Sequence, residues 1–397
     1  MKERINVLHV LNSAHGGSAL STFQLIEELN ANHIQSSLIC YNNATEAQKI
    51  KICLLVDDRV LFIPLYWTNK RIRVRWWKRP LLEALTAWQT WWGYKYQSQI
   101  SSLIKQHHIH LIHTSTIVNP EGAIAAKNNN LPHLWHVREL IGPNTYYSFP
   151  QFKSWVSYVE EHADFLVANS QATAKNLALY FQKSKIMCIP NGINPEGYTA
   201  KIHRATETLV VAMVGNVTSR LKNHEFFIKT ATHFRNNKNF CFRIYGVLPA
   251  ATDSYYVELK NSIHQNDLVE TVTFMGHREN AAAIMSEIDV LFHPTGQESF
   301  GRIFIEAMAG GIPIVAVDEG GAVELVRTDI NGFRVPENDT LAASRALKKM
   351  LDSAELRNQM GRNGRDIVEK EYSLGLLTER IIELYKTLLN SIENSNS

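Results

Sequence analysis

The stretch of sequence that decides the fold is HPTGQESFGRIFIEAMAGGIPIVAVDEGG, residues 293–321. A short apolar run, residues 288–292, precedes it and stops at a Pro and a Gly, which is typical of a buried strand that runs into a loop. We expect a helix to start near Arg302. Gly301 at this junction lets backbone N–H groups approach an anion, and the helix N-terminus adds partial positive charge. The stretch therefore predicts a strand, an anion-binding loop and a helix.

Two carboxylates flank this loop. Glu298 stands before Ser299, Phe300 and Gly301, and Glu306 lies about one turn into the predicted helix. Carboxylates accept hydrogen bonds from vicinal hydroxyls, as an acidic side chain does from ribose in dinucleotide folds. Two acids around a phosphate-sized loop indicate a diphosphate flanked by two sugars, as in a nucleotide-sugar. An isolated pair of this kind would more often be two solvated surface acids.

The whole pattern carries a family resemblance. E-S-F-G-x-x-x-x-E-A-M-A-x-G-x-P-I-V-A at residues 298–316, followed by G-G-x-x-E at 320–324, resembles the donor-site motif of family 4 glycosyltransferases with the GT-B fold. The resemblance implies an α/β chain with two Rossmann-like domains, whose parallel sheets face each other across a cleft. It also implies that the C-terminal helix crosses back to the first domain.

We place the domain boundaries by composition and by this resemblance. The N-terminal, acceptor-binding domain is predicted at residues 1–195, and the nucleotide-sugar-binding domain at 196–372. The returning helix is predicted at 373–397, where apolar residues recur at helical spacing. The segment 191–208 contains Pro, Gly and mixed charge without apolar periodicity, so we predict that it is the interdomain linker.

Composition describes a globular protein of two ordinary domains, with 45% hydrophobic and 20% charged residues in 397. A formal net charge of +3 does not indicate a nucleic-acid partner. The four cysteines are widely spaced and form no CxxC pair, which favours reduced thiols over a disulfide or zinc framework. No secretory signal and no apolar run of about 18 residues are recognisable. We expect a cytoplasmic protein whose membrane contact is peripheral, at the inner face of the plasma membrane.

Residues 66–96 are unusually rich in tryptophan and basic side chains, and they contain six of the eight tryptophans. Trp prefers the bilayer interface, and basic residues bind anionic headgroups. The segment is therefore interpreted as a surface for an anionic membrane or a lipid-linked acceptor. One alternative is that the Trp residues at helical spacing pack in the core beside a solvated basic loop. RNA binding, the other alternative, is the least favoured, and we expect no nucleic-acid partner.

The first domain opens with a predicted strand at residues 5–11, a loop that contains Gly16 and Gly17, and a helix. This order is Rossmann-like, although the loop is not GxGxxG and a plain turn is the alternative. The resemblance implies that both glycines lie in the cleft, where tight backbone approaches donor or acceptor. The adjacent Asp57 and Asp58 are interpreted as a solvated turn. The family typically needs no metal-binding DxD motif, so we expect no metal and no cofactor.

His136 and Arg138 lie two residues apart at the end of a predicted strand and therefore share a face of the sheet. The resemblance implies that a His at the end of this strand faces the donor sugar. Counted from Pro132, that position falls on Arg138, with His136 two residues earlier. Which residue takes the family role stays open, and a buried core histidine is the alternative for His136.

The second domain opens with a predicted strand at 209–214 and a loop in which the family places an Arg and a Lys on the donor diphosphate. Lys222 keeps its place, Asn216 replaces the Arg, and Arg220 is a candidate substitute. A solvated lysine at a helix start is the alternative for Lys222. Gly276 follows a further strand, and the resemblance implies that this turn borders the nucleobase.

The resemblance implies a retaining transferase that moves a sugar, from a UDP-linked donor, to a saccharide or lipid-linked saccharide in cell-surface polysaccharide biosynthesis. The catalytic candidates are Glu298, Lys222, and His136 or Arg138. Two alternatives are a nucleotide-sugar epimerase of the same fold and a catalytically inactive glycan-binding subunit. The acidic motif argues against the epimerase, while Asn216 and Arg138 are the only departures that favour an inactive subunit.

Overall fold

The computed structural model describes residues 4–41, 43–63, 96–142, 152–204, 208–218, 220–235 and 237–396. The Trp-rich basic segment lies outside these residues, apart from Tyr96, so its interpretation stays a prediction. The chain divides into two compact units. The first unit contains Met1–Asn191 and Leu374–Ser397, and the second contains Gly192–Ser373.

The first unit is built on a seven-stranded sheet in which all the neighbouring strands are parallel. Its strands are β1 (Asn6–Leu11), β2 (Gln35–Tyr41), β3 (Val60–Ile63), β4 (Leu111–Ser115), β5 (His133–Val137), β6 (Phe165–Ala168) and β7 (Ile186–Cys188). Its helices are α1 (Gly16–Ala31), α2 (Glu46–Val56), α3 (residues 96–106), α4 (Glu121–Asn129), α5 (Phe152–His162) and α6 (Gln171–Ala178). The chain's last helix, α14 (Leu374–Asn396), belongs to the same unit.

Helix α14 packs on the first sheet because its apolar residues recur at helical spacing on one face. Leu377, Ile381, Leu384 and Leu388 are buried in a cluster with side chains of β1, β4, β5 and β6. Helix α1 lies beside it on the same face of the sheet. Strands β4 and β5 are buried throughout, as expected for parallel strands covered on both faces.

The second unit is built on a six-stranded parallel sheet. Its strands are β8 (Leu209–Val214), β9 (Phe240–Tyr245), β10 (Val272–Gly276), β11 (Val290–His293), β12 (Ile314–Val317) and β13 (Gly332–Val335). Its helices are α7 (His224–Ala231), α8 (Ser254–Gln265), α9 (Ala281–Glu287), α10 (Arg302–Ala309), α11 (Ala322–Leu325), α12 (Thr340–Leu351) and α13 (Ala354–Glu371).

The two sheets share one strand order. The first runs β3-β2-β1-β4-β5-β6-β7 and the second runs β10-β9-β8-β11-β12-β13. Each is the doubly wound Rossmann order, which reverses direction between β1 and β4 or between β8 and β11. Ligands of such sheets bind at the carboxyl ends of the strands beside this reversal. The prediction of an α/β chain with two Rossmann-like parallel sheets is confirmed.

Two local predictions differ from the structure. Helix α1 begins at Gly16, so the loop after β1 is shorter than the sequence suggested. The segment expected to be a linker is packed onto the second unit as far as it is described. Lys201 N donates to the Gly310 carbonyl, and the Asn358 side chain bonds both the N–H and the carbonyl of His203. No helix in the described ranges has the length and apolar character needed to cross a membrane.

Candidate active site

The centre of the candidate site is an ion pair at the reversal point of the second sheet. Lys222 ends a short 3-10 turn after β8, and Glu298 lies in the loop after β11, the strand next to β8. Lys222 Nζ lies 2.6 Å from Glu298 Oε2. The fold therefore joins Lys222, the candidate diphosphate ligand, with Glu298, the first acid of the donor-site motif.

The Glu298 carboxylate is held in its ionised form. Its side chain is 21% exposed, and burial alone would raise its pKa. The Lys222 ammonium and the His293 ring outweigh burial and hold the pKa of Glu298 well below its usual range. At neutral pH the site therefore presents a carboxylate beside an ammonium, which suits a ligand with both hydroxyl groups and negative charge.

His293 is a site residue that the sequence analysis did not assign. It is the last residue of β11, its side chain is 2% exposed, and its Nε2 lies 3.5 Å from Glu298 Oε2. Burial is the largest influence and lowers the pKa of His293, as Lys222 does, while Glu298 raises it. The ring packs edge-on against Phe304 of α10, with centroids 4.8 Å apart. The available signal was its place at the carboxyl end of a strand beside the reversal point.

The loop between β11 and α10 is fixed by close backbone packing. Gly301 has a φ of +84°, and a Cβ there would lie 2.4 Å from the Phe304 ring. Gly321 N donates to the Glu298 carbonyl over 2.8 Å, and a Cβ on Gly320 would approach the same oxygen to 2.4 Å. The G-G pair of the motif therefore lets the chain after β12 clamp the Glu298 loop.

Within this loop the side chains of Ser299 and Phe300 differ in burial. Phe300 is buried in the core of the second unit, with its ring 6.1 Å from that of Tyr372. Ser299 is half-buried. Helix α10 begins at Arg302, as predicted, so its first backbone amides lie at the end of this loop. The buried Phe300 side chain therefore anchors the loop to the core of the second unit.

Glu306 lies on the second turn of α10 and is almost fully buried. Its Oε1 is 2.8 Å from Nε of Arg302, one helical turn earlier. Burial raises the pKa of Glu306, and the Arg302 guanidinium opposes this effect. The structure places Glu306 on the same loop-helix unit as Glu298.

The other predicted donor-site residues of the second unit have protein partners or open surroundings. Asn216 Oδ1 accepts a hydrogen bond from Val247 N at 3.0 Å, so Asn216 ties two neighbouring loops together. Arg220 forms ion pairs with Glu225 and Glu258, and it lies over the ring of Tyr255. Gly276 at the end of β10 has a φ of +75°, and a Cβ there would meet no atom within 4 Å.

The first unit holds the remaining predicted residues at the carboxyl end of its own sheet. Gly16 and Gly17 are exposed, and a Cβ on either would meet no atom within 4 Å. His136 is fully buried on β5, with Nδ1 3.2 Å from Nε2 of His113. Arg138 follows the strand, and its Nη1 donates to Asn191 Oδ1.

The structure thus brings Lys222, Glu298 and Gly301 together with Glu306 in one unit, and holds His136 and Arg138 in the other. Whether either of the latter two takes the family's histidine role stays a prediction. Across the described part of the chain, no group of three or more His, Cys, Asp and Glu is placed to hold a metal ion.

The comparisons with known proteins agree with this arrangement. The family model "Glycosyltransferase Family 4" matches residues 15–196, and "Glycosyl transferases group 1" matches residues 196–367. The two doubly wound sheets and these matches define a GT-B glycosyltransferase fold. The chain belongs to family 4 of the glycosyltransferases.

Curated relatives match parts of the chain. The capsular polysaccharide biosynthesis glycosyltransferase CapM of Staphylococcus aureus is 26% identical over 199 residues, 49% of this chain and 50% of CapM. The human alpha-1,3/1,6-mannosyltransferase ALG2 is 32% identical over 138 residues, 34% of this chain and 33% of ALG2. The chain thus spans about half or less of the length of these relatives.

Solved structures match nearly the whole chain. Anabaena HepE in complex with UDP has a TM-score of 0.78 at 20% identity, and the match covers 97% of this chain and 100% of HepE. The sucrose-phosphate synthase of Thermosynechococcus elongatus has a TM-score of 0.73 at 18% identity, with 98% and 100% covered. At these identities the likeness shows the fold alone.

Proposed function

We propose that this protein transfers a sugar from a UDP-linked donor to a saccharide or lipid-linked saccharide, with retention of anomeric configuration and without a metal ion. The observation that carries the proposal is the Lys222–Glu298 pair beside the N-terminus of α10. It offers a cation, a carboxylate and backbone amides at the carboxyl ends of adjacent strands. A diphosphate and the sugar attached to it need these groups within one site.

Each side chain receives a distinct role in this proposal. Lys222, together with the amides at the start of α10, offsets the negative charge that develops on the departing diphosphate. Glu298 accepts hydrogen bonds from the transferred sugar, and Glu306 accepts them from the ribose hydroxyls. Before the donor binds, Glu298 is the partner of Lys222, so a carboxylate holds the ammonium in place.

Two comparisons support the donor and the pathway class. HepE was crystallised with UDP, and CapM is described as a capsular polysaccharide biosynthesis glycosyltransferase. By analogy, we assign this chain to cell-surface polysaccharide biosynthesis with a UDP-sugar donor. GDP-sugars are the competing donor class, and their comparison with UDP-sugars is the first test.

The deciding experiment measures the thermal shift of the protein with a panel of UDP- and GDP-sugars, followed by product analysis with the donor that stabilises it. We expect an acceptor lengthened by one sugar, with the donor's anomeric configuration, and unchanged turnover in EDTA. A changed free donor without a new linkage would indicate an epimerase. Binding of glycan without any turnover would indicate an inactive subunit. Lys222→Ala serves as the matched control for background hydrolysis.

A further part of the proposal is peripheral contact with an anionic membrane, which would place the enzyme at the inner face of the plasma membrane. The tryptophans and basic residues of segment 66–96 support it. We expect co-sedimentation with anionic but not neutral vesicles, weakened by salt. Replacing Arg73, Arg75, Lys78 and Arg79 by Ser should abolish it, and equal sedimentation of that variant would contradict the proposal.

A further inference from the structure

Three histidines form a polar layer inside the first unit. His9, His113 and His136 lie on the neighbouring strands β1, β4 and β5, and all three are fully buried. Each stands two residues after an apolar side chain that packs against α14, and residues two apart on a strand share one face. The ring centroids lie 5.2 Å apart for His9 and His113, and 5.3 Å apart for His113 and His136. We call these residues the histidine layer.

Helix α14 connects to this layer through Tyr385. The Tyr385 hydroxyl lies 2.6 Å from His113 Nδ1, and His113 Nε2 lies 3.2 Å from His136 Nδ1. His136 Nε2 is buried and has no hydrogen-bond partner among the described residues. A continuous chain of hydrogen bonds therefore runs from α14, the last helix of the unit, to β5, the strand that Arg138 follows.

Burial holds both imidazoles of this hydrogen-bond chain, those of His113 and His136, in the neutral form. Burial is the main cause that lowers the pKa of His113 and of His136 well below the usual value, and the Arg138 guanidinium lowers both further. A neutral imidazole has one N–H donor and one acceptor nitrogen. The Tyr385–His113–His136 hydrogen-bond chain therefore has only two consistent proton arrangements. In one the donors point from Tyr385 toward His136, and in the other they point from His136 toward Tyr385.

Counting hydrogen bonds decides between the two directions. If Tyr385 donates to His113 Nδ1, then His113 Nε2–H donates to His136 Nδ1, and the Nε2–H of His136 is the one group of this set without a partner among the described residues. In the reverse direction both the Tyr385 O–H and the His136 Nε2 acceptor lack a partner within the described part of the chain. Because buried polar groups are strongly selected to be hydrogen-bonded, the first direction is favoured.

We propose that Tyr385 and His113 are positioning residues. They hold the His136 ring in its Nε2–H form near the carboxyl end of β5, two residues before Arg138. The two residues act through His136 and do not touch the substrate. The hydrogen-bond arrangement stands on the geometry of the first unit alone. Its kinetic consequence rests on the proposed function together with the prediction that His136 or Arg138 faces the donor sugar.

The proton arrangement is tested by NMR of the full chain labelled with ¹⁵N-histidine. We expect His113 and His136 both to be neutral at pH 7 with the proton on Nε2. Tyr385→Phe should move the His113 Nδ1 resonance toward that of an acceptor without a hydrogen bond. A proton on Nδ1 of His136 would overturn the proposal, because the chain would then run in the opposite direction. This measurement needs no turnover, so it stands even if the proposed function fails.

The positioning role is tested by two substitutions of the same ring. The amide of His113→Gln reaches the place of Nε2 and keeps the bond to His136, whereas the amide of His113→Asn reaches the place of Nδ1 and keeps only the bond to Tyr385. We expect His113→Asn to lower kcat by about tenfold, the scale of one lost hydrogen bond, and His113→Gln to stay within about threefold of wild type.

A control variant separates positioning from general destabilisation. Thr378 is also buried on α14, and its Oγ1 bonds only the Leu374 carbonyl in the described structure. Thr378→Val removes a buried hydroxyl without touching the histidine layer, so kcat should not change. Equal kcat for His113→Asn and His113→Gln would overturn the proposal and leave the layer as a packing feature. Loss of kcat in Thr378→Val equal to that in His113→Asn would do the same.

Discussion

The two sheets share one strand order, but the key polar side chains of the two units differ in charge. In the second unit, Glu298 is ionised because Lys222 lies 2.6 Å away. In the first unit, burial keeps His113 and His136 neutral, and it raises the pKa of Glu139 to about 7 against the hydrogen bonds from Arg138 N and Ile117 N. In the second unit a paired cation keeps the carboxylate ionised, whereas in the first unit desolvation favours the neutral form of the side chains.

This difference shows that strand topology leaves the chemistry of the site open. The same reversal point becomes a charged site when the neighbouring loops supply Lys and Glu. In the first unit the strands themselves carry neutral histidines that stack on one another, and Arg138 is the charged group beside them. An ion pair fits a diphosphate, and neutral hydrogen-bonding groups fit sugar hydroxyls.

The largest effect is expected at the cation of the charged site. Lys222→Ala should lower kcat by about 10²–10³, the usual scale for one preorganised group that stabilises developing charge. It should also raise the pKa of Glu298, since its main lowering influence is lost. Steady-state kinetics with one UDP-sugar measures the first effect, and Lys222→Arg is the control that keeps the charge. Turnover of Lys222→Ala within threefold of wild type would contradict the role of this ammonium.

The two acids of the charged site should separate binding from turnover. Glu306→Ala is expected to weaken UDP binding by about 1.5–3 kcal/mol, the cost of lost hydrogen bonds to a charged group. Glu298→Ala should reduce turnover more than UDP affinity, because it is assigned to the sugar. Calorimetric titration with UDP and initial rates measure the two effects.

The chain offers a matched control for Glu306. Arg365 and Glu369 form the same type of helical pair as Arg302 and Glu306, with Nε 2.9 Å from Oε1, but on the more exposed surface of α13. Glu369→Ala should leave UDP affinity unchanged. Unchanged UDP affinity in Glu306→Ala as well would show that the ribose assignment is wrong.

Arg220 should have a smaller effect than Lys222. Its guanidinium is engaged by Glu225 and Glu258, so phosphate binding would require it to exchange carboxylates for phosphate. We expect Arg220→Ala to lower kcat roughly tenfold or less, about 1.4 kcal/mol at most. Asn216→Arg in the same background tests whether the family's missing cation restores activity. A loss as large as that of Lys222→Ala would show that Arg220 leaves its carboxylates when the donor binds.

The sequence predicted what depends on local pattern. The strand before Glu298, the helix from Arg302 and the amphipathic helix α14 followed from apolar periodicity and Gly placement. The start of α1 at Gly16 was missed, because a Gly-Gly pair in a sequence is typical of a loop. In the structure Gly16, with a φ of +88°, is the first residue of the helix.

What the sequence could not predict are contacts between distant residues. Lys222 and Glu298 lie 76 positions apart, and His113 and Tyr385 lie 272 apart. Such pairs depend on strand order and on which helix face meets the sheet, and neither leaves a local signal. For the same reason nothing in the sequence indicated that Arg220 pairs with Glu258, which lies 38 residues further along the chain.

The smallest expected effect concerns stability, and it tests whether burial keeps a carboxyl group of the first unit neutral. Glu121, in the first turn of α4, is 2% exposed, and burial is the main cause that raises its pKa to about 7. Its folded pKa lies above the unfolded value, so its contribution to stability is fully present below about pH 4.5 and is lost as pH rises through about 7. Glu121→Gln remains neutral at every pH in this window.

The Tm of wild type, relative to that of Glu121→Gln, should therefore fall by a few degrees between pH 5 and pH 8. Scanning calorimetry of both proteins across this range measures the difference in Tm, in which the contributions of all other titrating groups cancel. Glu46→Gln is the matched control, because Glu46 occupies the first turn of α2 with an 84% exposed side chain. Its Tm should run parallel to wild type. Parallel curves for Glu121→Gln as well would mean that Glu121 is ionised in the folded state, and that burial does not keep its carboxyl group neutral.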